Sequence, residues 1–243
     1  MAGIDLFVSE KKSRHSVAWK ERKMELRGKK AIFLGDSITE GCLATSPELA
    51  YHQILKGILG LREEVSYGIG GTRIARQKKP TEDPKYDLDF NMRADKMDKD
   101  ADIVFVFGGT NDYGHGDAPL GAFGDDTVWT FYGALGCLYK TLIDIYGKDK
   151  IVILTPTHRI NDTNRRGNGS KERESGTLAE YVEAIRKTAA KYSLKVIDLF
   201  AKSSLDPNDK TVNDKYFADG LHPNNAGHEK LAQVIAEEIE KII

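Results

Sequence analysis

The sequence predicts a three-layer α/β/α sandwich built on a five-stranded parallel sheet. Short apolar runs rich in β-branched residues alternate with segments whose apolar residues recur every three or four positions. The short runs are mostly continuous rather than alternating, which is typical of parallel strands covered on both faces. Regular alternation of strand and helix favours this α/β architecture over separate helical and sheet regions.

Strands and helices follow one another along the chain. Between the first two strands, Ser46 and Pro47 predict a helix start, because a cap residue followed by proline favours the first helical turn. Apolar stripes at 128–145, 178–189 and 231–242 predict three further helices, and the charged region Arg73–Asp100 predicts a turn, an irregular stretch and at most one helix. The predicted strands are Ala31–Leu34, Glu64–Tyr67, Asp102–Phe107, Ile151–Thr155 and Lys195–Leu199.

The length of 243 residues favours one large α/β domain over two small ones, and we expect this domain at 29–243, preceded by an N-terminal extension at 1–28. The extension carries a candidate short helix around Val17–Leu26. A formal net charge of −1 gives no overall field that would attract nucleic acid or an anionic membrane. No segment approaches the roughly 20 apolar residues that a membrane span needs. The first 30 residues lack the apolar core of a secretory signal, so a cytoplasmic location is expected.

Cysteine and histidine spacing indicates neither a disulfide framework nor a metal site. Cys42 and Cys137 lie far apart in different segments, and no His or Cys pair has the spacing of metal ligands. We therefore expect free thiols, no metal and no other cofactor. Nothing in the sequence indicates an oligomeric state.

Polar segments follow the predicted strands at the edge where ligands bind in open α/β sheets. The first strand ends in Gly35-Asp36-Ser37. The later segments are Gly68-Ile69-Gly70-Gly71-Thr72 after the second strand, Gly108-Gly109-Thr110-Asn111-Asp112 after the third, and Asp219-Gly220-Leu221-His222 before the last helix. Because the carboxyl ends of parallel strands share one edge, we expect these segments to meet at one site.

The residue types in these segments suit acyl transfer. Ser37 is a weak nucleophile near neutral pH and needs a general base, which His222 can provide. Asp219, three residues before His222, can accept the other ring N–H of that histidine. The backbone N–H groups of Ser37 and Gly71, with the side-chain amide of Asn111, would form an oxyanion hole.

Together these segments resemble the four blocks of the SGNH (GDSL) hydrolase superfamily, in the same order, from Ala31 to the C-terminus. The resemblance implies a flavodoxin-like fold and esterase or deacylase activity without a metal, acting on a small-molecule ester. It also implies catalytic roles for Ser37, Gly71, Asn111 and His222, with Asp219 supporting the histidine. Gly70 could also be the glycine of the second block, but Gly71 fits better because Thr72 follows it.

Other residues are weaker candidates for contact with substrate. Asp36, His158 and Tyr113 lie near the same edge, although bracing of the serine turn is the simpler role for Asp36 and a surface-loop position the simpler one for His158. The long loops Tyr113–Asp126 and Thr157–Gly176 are polar and lack an apolar lid. They favour small, water-soluble acyl or acetyl esters, such as those of carbohydrates, over bulk lipid.

Two alternatives remain open at this point. An acyltransferase could use the same triad with an alcohol in place of water. A non-catalytic flavodoxin-like binding module is less consistent with the sequence, because the loop Gly35–Cys42 is poorer in glycine than phosphate-binding loops and Asp219 and His222 would have no role. A classical α/β-hydrolase is disfavoured because Ser37 lacks the Gly-x-Ser-x-Gly context.

Overall fold

The computed structural model describes residues 26–243, and the structural statements below refer to that part of the chain. The helix expected around Val17–Leu26 lies outside the described residues, apart from Leu26 itself. Leu26 is buried and packs with one face of the sheet. None of the helices within 26–243 is long and apolar enough to cross a membrane.

All five predicted strands are present and form one parallel sheet. They are β1 (Lys30–Gly35), β2 (Glu63–Gly68), β3 (Ile103–Phe107), β4 (Ile151–Leu154) and β5 (Lys195–Ile197). Their order across the sheet is β2-β1-β3-β4-β5, with every neighbouring pair parallel. This is the doubly wound order of flavodoxin-like folds, in which the strand order reverses between β1 and β3 and ligands bind at that switch point.

Helices cover both faces of this sheet. They are α1 (Ser37–Glu40), α2 (Tyr51–Leu59), α3 (Phe90–Ala94), α4 (Thr110–Gly114), α5 (Phe131–Tyr146), α6 (Leu178–Lys191), α7 (Leu199–Lys202), α8 (Lys210–Tyr216) and α9 (Asn225–Ile239). On one face Ile32, Leu34 and Val104 pack against α3, α5 and α6. On the other, Phe33 and Phe105 pack against α2 and α9. Successive strand residues point to opposite faces, so each strand contributes to both apolar layers.

Several element boundaries differ from the sequence-based prediction. Ser46-Pro47 begins a short 3₁₀ turn, Pro47–Leu49, and α2 starts only at Tyr51 because Ala50 has extended backbone. The apolar stripe from 128 becomes helical at Phe131, because the side chain of Thr130 caps α5 by accepting the Gly133 N–H. The region 73–100 contains a 3₁₀ turn, Pro84–Asp87, as well as α3.

Candidate active site

The candidate nucleophile Ser37 is the first residue of α1, directly after β1. The turn is held by Asp36, whose carboxylate accepts the Ile38 N–H at 3.0 Å. Gly35 is required by packing, because a Cβ there would lie 2.0 Å from Oγ1 of Thr39. The short turn therefore places the Ser37 hydroxyl at the carboxyl edge of the sheet, with 8% of the residue exposed.

Three predicted catalytic side chains form an unbroken hydrogen-bond chain. The Oγ of Ser37 lies 2.9 Å from Nε2 of His222, and Nδ1 of the same ring lies 2.7 Å from Oδ2 of Asp219. The other oxygen of Asp219 accepts the backbone N–H groups of Leu221 and His222 at 3.0 and 2.7 Å. The carboxylate thus orders its own turn while it binds the imidazole. With Nδ1–H facing this carboxylate, Nε2 is left to accept the serine proton.

The local environment keeps Asp219 ionised. Partial burial acts to raise the pKa of this carboxyl, but the hydrogen bonds from the backbone and ring of His222 outweigh it and hold the pKa below its ordinary value. A carboxylate is therefore present at neutral pH, and it can stabilise positive charge that develops on the imidazole.

Donors suited to an oxyanion follow β1, β2 and β3. Gly71 has a φ of +72°, and its N–H has no acceptor among residues 26–243. The Gly70 N–H, in contrast, donates to Oε2 of Glu40 at 2.8 Å. Gly71 is accordingly the glycine with a free donor, as its match to the second block suggested. The Ser37 N–H lies at the first position of α1, where a helix offers no acceptor.

Asn111 lies in the first turn of α4, and its side chain is almost entirely buried. One hydrogen of Nδ2 is donated to the carbonyl of Thr72 at 3.0 Å. This bond ties the end of β3 to the glycine turn after β2. The second hydrogen of the amide has no acceptor in the described part of the chain, so it can serve a ligand.

The three weaker candidates have different surroundings. Asp36 is 2% exposed and its carboxylate accepts the Ile38 N–H, so its contacts are those of a brace for the serine turn. Burial raises the pKa of this carboxyl to about 6, against the lowering effect of that hydrogen bond. Nδ1 of His158 lies 2.5 Å from Oδ2 of Asp162, and its ring centroid lies 3.7 Å from that of Phe200. The expected substrate contact of Tyr113 is wrong for this geometry. That side chain is fully buried, and its hydroxyl donates to two carbonyls of the loop 157–176 at 2.8 and 2.9 Å.

Sequence analysis missed Arg93, which is buried beneath the site. Its guanidinium donates to the carbonyls of Tyr67 at 2.5 Å and Gly35 at 3.1 Å, and to Oγ1 of Thr72 at 3.0 Å. It therefore joins the ends of β1 and β2 to the turn that carries Gly71. No pattern in the charged segment around it distinguishes this arginine from its solvated neighbours.

Arg73 and His115 form another part of the site, to which the sequence analysis did not assign them. Nε2 of His115 lies 3.2 Å from Oδ1 of Asn111, and Nδ1 of the same ring lies 3.4 Å from Nη1 of Arg73. Both residues line a cavity of about 630 Å³ whose other walls include 77–79, 116–119 and 170–175. Its lining includes neither Ser37 nor His222.

A serine, histidine and aspartate at the switch point of a 2-1-3-4-5 parallel sheet place the protein in the class of flavodoxin-like α/β/α sandwiches of the SGNH hydrolase type. The chain belongs to the GDSL-like lipase/acylhydrolase family, whose family model matches residues 33–230. The match includes all four segments that the sequence analysis placed at the sheet edge.

Solved structures support the same assignment. A protein from Lactobacillus plantarum is 30% identical with a TM-score of 0.77, over 89% of this chain and 99% of that chain. A lipase/acylhydrolase from Enterococcus faecalis is 25% identical with a TM-score of 0.59, over 88% and 96%. An acetyl xylan esterase, 24% identical with a TM-score of 0.57 over 86% and 98%, shows the fold alone. A comparison with curated protein sequences gave no match.

Proposed function

We propose that this protein is a serine esterase that cleaves carboxylic esters through an acyl-enzyme on Ser37. The observation that carries the proposal is the continuous chain from Ser37 through His222 to Asp219, with links of 2.9 and 2.7 Å. The first distance lies within the range for proton transfer from a nucleophile to its base, and the second is that of a hydrogen bond that orients the base.

In the first half-reaction the Ser37 oxygen attacks the acyl carbon while His222 takes the serine proton. Charge on the resulting tetrahedral oxyanion is stabilised by the N–H groups of Ser37 and Gly71 and by the amide of Asn111. The carbon–oxygen bond to the alcohol then breaks, and His222 returns the proton to the leaving oxygen. Asp219 orients the imidazole and stabilises the imidazolium.

In the second half-reaction water attacks the acyl carbon of the Ser37 ester. His222 takes a proton from the water, and the same three donors bind the second oxyanion. Collapse of this intermediate breaks the bond to Ser37, which recovers its proton from His222, and a carboxylic acid leaves. An acceptor alcohol in place of this water would give acyl transfer by identical steps.

We infer small, water-soluble acyl or acetyl esters as the substrate class, with acetylated carbohydrates as the leading example. The two loops beside the site contribute polar side chains to the nearby cavity rather than an apolar lid. Tyr86 is 37% exposed, and its ring lies 3.2 Å from the place where a Cβ of Gly71 would be. A partly exposed aromatic ring beside an oxyanion donor can pack against a sugar ring or a short acyl group.

Covalent labelling tests the proposed nucleophile. A fluorophosphonate should label the wild-type protein and should not label Ser37→Ala, while Ser193→Ala, a change at an exposed serine away from the site, should be labelled normally. Labelling of a folded Ser37→Ala protein, or none of the wild type, would contradict the proposal. Product analysis of p-nitrophenyl acetate turnover, with and without sugar alcohols, then separates hydrolysis from acyl transfer.

A further inference from the structure

The Asn111 amide is the inner end of a three-residue hydrogen-bond chain. Its Oδ1 lies 3.2 Å from Nε2 of His115, whose Nδ1 lies 3.4 Å from Nη1 of Arg73. Arg73 is itself fixed, because Nη2 donates to the carbonyl of Tyr86 at 3.0 Å and to Oδ1 of Asp87 at 3.3 Å. The chain therefore runs from a buried, anchored arginine to a predicted oxyanion donor.

The arginine determines which ring nitrogen of His115 carries the hydrogen. A guanidinium can only donate, so Nδ1 of His115 must be the acceptor in its contact with Arg73. In a neutral imidazole the hydrogen is then on Nε2, which faces Asn111 and donates to Oδ1.

A donor at Nε2 of His115 in turn fixes the orientation of the Asn111 amide. If the amide were rotated by half a turn, Nδ2 would face the Nε2–H of His115 and Oδ1 would face the carbonyl of Thr72. Both contacts would then be repulsive, donor against donor and acceptor against acceptor. In the observed orientation both are attractive, and one N–H of Asn111 remains free.

We propose that His115, held in one tautomer by Arg73, is a positioning residue that keeps the free N–H of Asn111 available to the oxyanion. This inference rests on the proposed esterase function, since it assigns Asn111 to the oxyanion hole. His115 need not touch the substrate. It acts through Asn111, and its effect belongs to the step in which charge develops on the acyl oxygen.

The surroundings of His115 keep its imidazole neutral. Desolvation of the ring, together with the positive charges of Arg73, Arg159 and Lys171, lowers the pKa of His115 below its ordinary value. One edge of this side chain remains open to the cavity, so replacing it need not leave a void in the core.

Substitutions at His115 separate the loss of a donor from the loss of packing. His115→Leu should lower kcat roughly 10-fold with KM within about twofold, because the hydrogen bond that orients Asn111 is lost. His115→Gln, which can still donate toward Asn111, should retain most of the activity. His115→Glu should fold, since Arg73 can pair with the carboxylate. It should nevertheless lose more kcat than His115→Leu, because an acceptor now faces Oδ1 of Asn111.

A double-mutant comparison identifies the route of the effect. In an Asn111→Ala background, His115→Leu should cause no further loss of kcat, because the group that it positions is gone. His52→Leu is the matched control. It removes a buried histidine, whose Nδ1 lies 2.6 Å from Oε1 of Glu64, and should alter thermal stability without changing kcat. Full additivity of His115→Leu with Asn111→Ala would overturn the proposal.

An NMR measurement tests the same inference without relying on esterase activity. The ring nitrogens of His115 in ¹⁵N-labelled protein should report the Nε2–H tautomer at neutral pH, and Arg73→Met should allow the other tautomer to appear. An Nδ1–H tautomer in the wild type would overturn the positioning role. A wild-type protein with the expected tautomer but no Ser37-dependent hydrolysis would instead refute the esterase function.

Discussion

Ser37 and His222 are 185 positions apart in the chain, yet their Oγ and Nε2 atoms lie 2.9 Å apart. The histidine reaches the serine because its loop is closed at both ends. Phe217 and Pro223 form an isolated antiparallel bridge, and the Asn224 N–H donates to the carbonyl of Tyr216 at 2.9 Å. The sheet edge places one partner and this short closed loop places the other. The contact therefore depends on the fold as a whole.

Asp219→Asn should lower kcat without unfolding the protein. The amide would keep an oxygen for the N–H groups of Leu221 and His222, but its NH₂ would face Nδ1 and favour the wrong tautomer of the imidazole. In a buried triad this substitution costs about 10⁴-fold. The Asp219 side chain is 48% exposed, so water can partly replace its hydrogen bond with the imidazole. We therefore expect kcat to fall by roughly 10²–10³-fold.

Initial rates with p-nitrophenyl acetate measure the effect of Asp219→Asn. Asp214→Asn is the control, because this residue is an exposed aspartate on α8 that pairs only with Lys210 in the described region. The control should retain wild-type kcat. Equal activities for the two variants would exclude Asp219 from the catalytic chain.

Gly71→Ala should reduce both stability and kcat. The left-handed backbone at φ +72° costs a residue with a Cβ roughly 1 kcal/mol, and this Cβ would also lie 3.2 Å from the ring of Tyr86. Relief of that contact would move the Gly71 N–H away from the oxyanion. Gly28→Ala has the same backbone cost at φ +75° with no atom within 4 Å of the new Cβ.

Denaturant unfolding and ester hydrolysis should therefore give different results for these two glycine variants. Gly28→Ala should lose stability alone, whereas Gly71→Ala should lose stability and at least 10-fold in kcat. A Gly71→Ala protein with full activity would show that the N–H at this position is not an oxyanion donor.

The fold and the core of the site were predictable because they depend on local patterns. Short apolar runs identified all five strands, and residues placed directly after strand ends must meet at one sheet edge. Ser37 and Asn111 could be found in this way, and His222 could be found in the connection before the last helix, three residues after Asp219. Tyr113 follows the same strand end as Asn111 but points into the core. Each position along a helix rotates a side chain by about 100°, and Tyr113 lies two positions after Asn111.

Three residues could not be assigned to the site from the sequence, because their partners are mostly backbone carbonyls or single atoms of distant side chains. They are Arg93, Arg73 and His115. A carbonyl has no sequence signature, so Arg93, which binds the carbonyls of Tyr67 and Gly35 and also that of Leu88 at 3.0 Å, looks in the sequence the same as an exposed arginine. The start of α2 at Tyr51 was missed for a related reason, because Ala50 carries no sign of its extended backbone.

Titration of Asp112 should lower the free energy of unfolding as the pH rises from about 4 to about 6. This carboxyl is 2% exposed, and burial raises its pKa to about 6 despite the N–H groups of Ile74 and Ala75 at 3.0 and 2.8 Å. A raised pKa means that the folded state binds the proton more tightly than the unfolded chain. The contribution of this carboxyl to the free energy of unfolding, roughly 3 kcal/mol, is therefore complete below about pH 3.8 and is lost as the pH rises through 6.

Urea unfolding at pH 4.5 and pH 7 tests this dependence. Asp112→Asn cannot titrate, so its free energy of unfolding should fall less between the two pH values than that of the wild type. Asp36, whose pKa is also about 6, remains in the variant and should preserve part of the slope. Identical slopes in both proteins would contradict the assignment of the transition to Asp112.

Arg93→Met should destabilise the fold and the site together. The substitution removes the donors to the carbonyls of Tyr67 and Gly35 and to Oγ1 of Thr72, and of these acceptors the Gly35 carbonyl would keep the Ile69 N–H at 3.2 Å. We expect a loss of about 3 kcal/mol in the free energy of unfolding. Since Thr72 follows Gly71 directly, we also expect a lower kcat under conditions in which the protein remains folded.

Arg165→Met is the matched control for Arg93→Met. Arg165 contacts the carboxylates of Glu174 and Glu180 at 3.2 and 2.8 Å, but its side chain is 50% exposed. Exposed ion pairs contribute about 0–1 kcal/mol, so this variant should unfold near the wild-type denaturant concentration and keep its kcat. If Arg165→Met proved as costly as Arg93→Met, carboxylate pairing rather than carbonyl binding would be the main way in which arginine stabilises this protein.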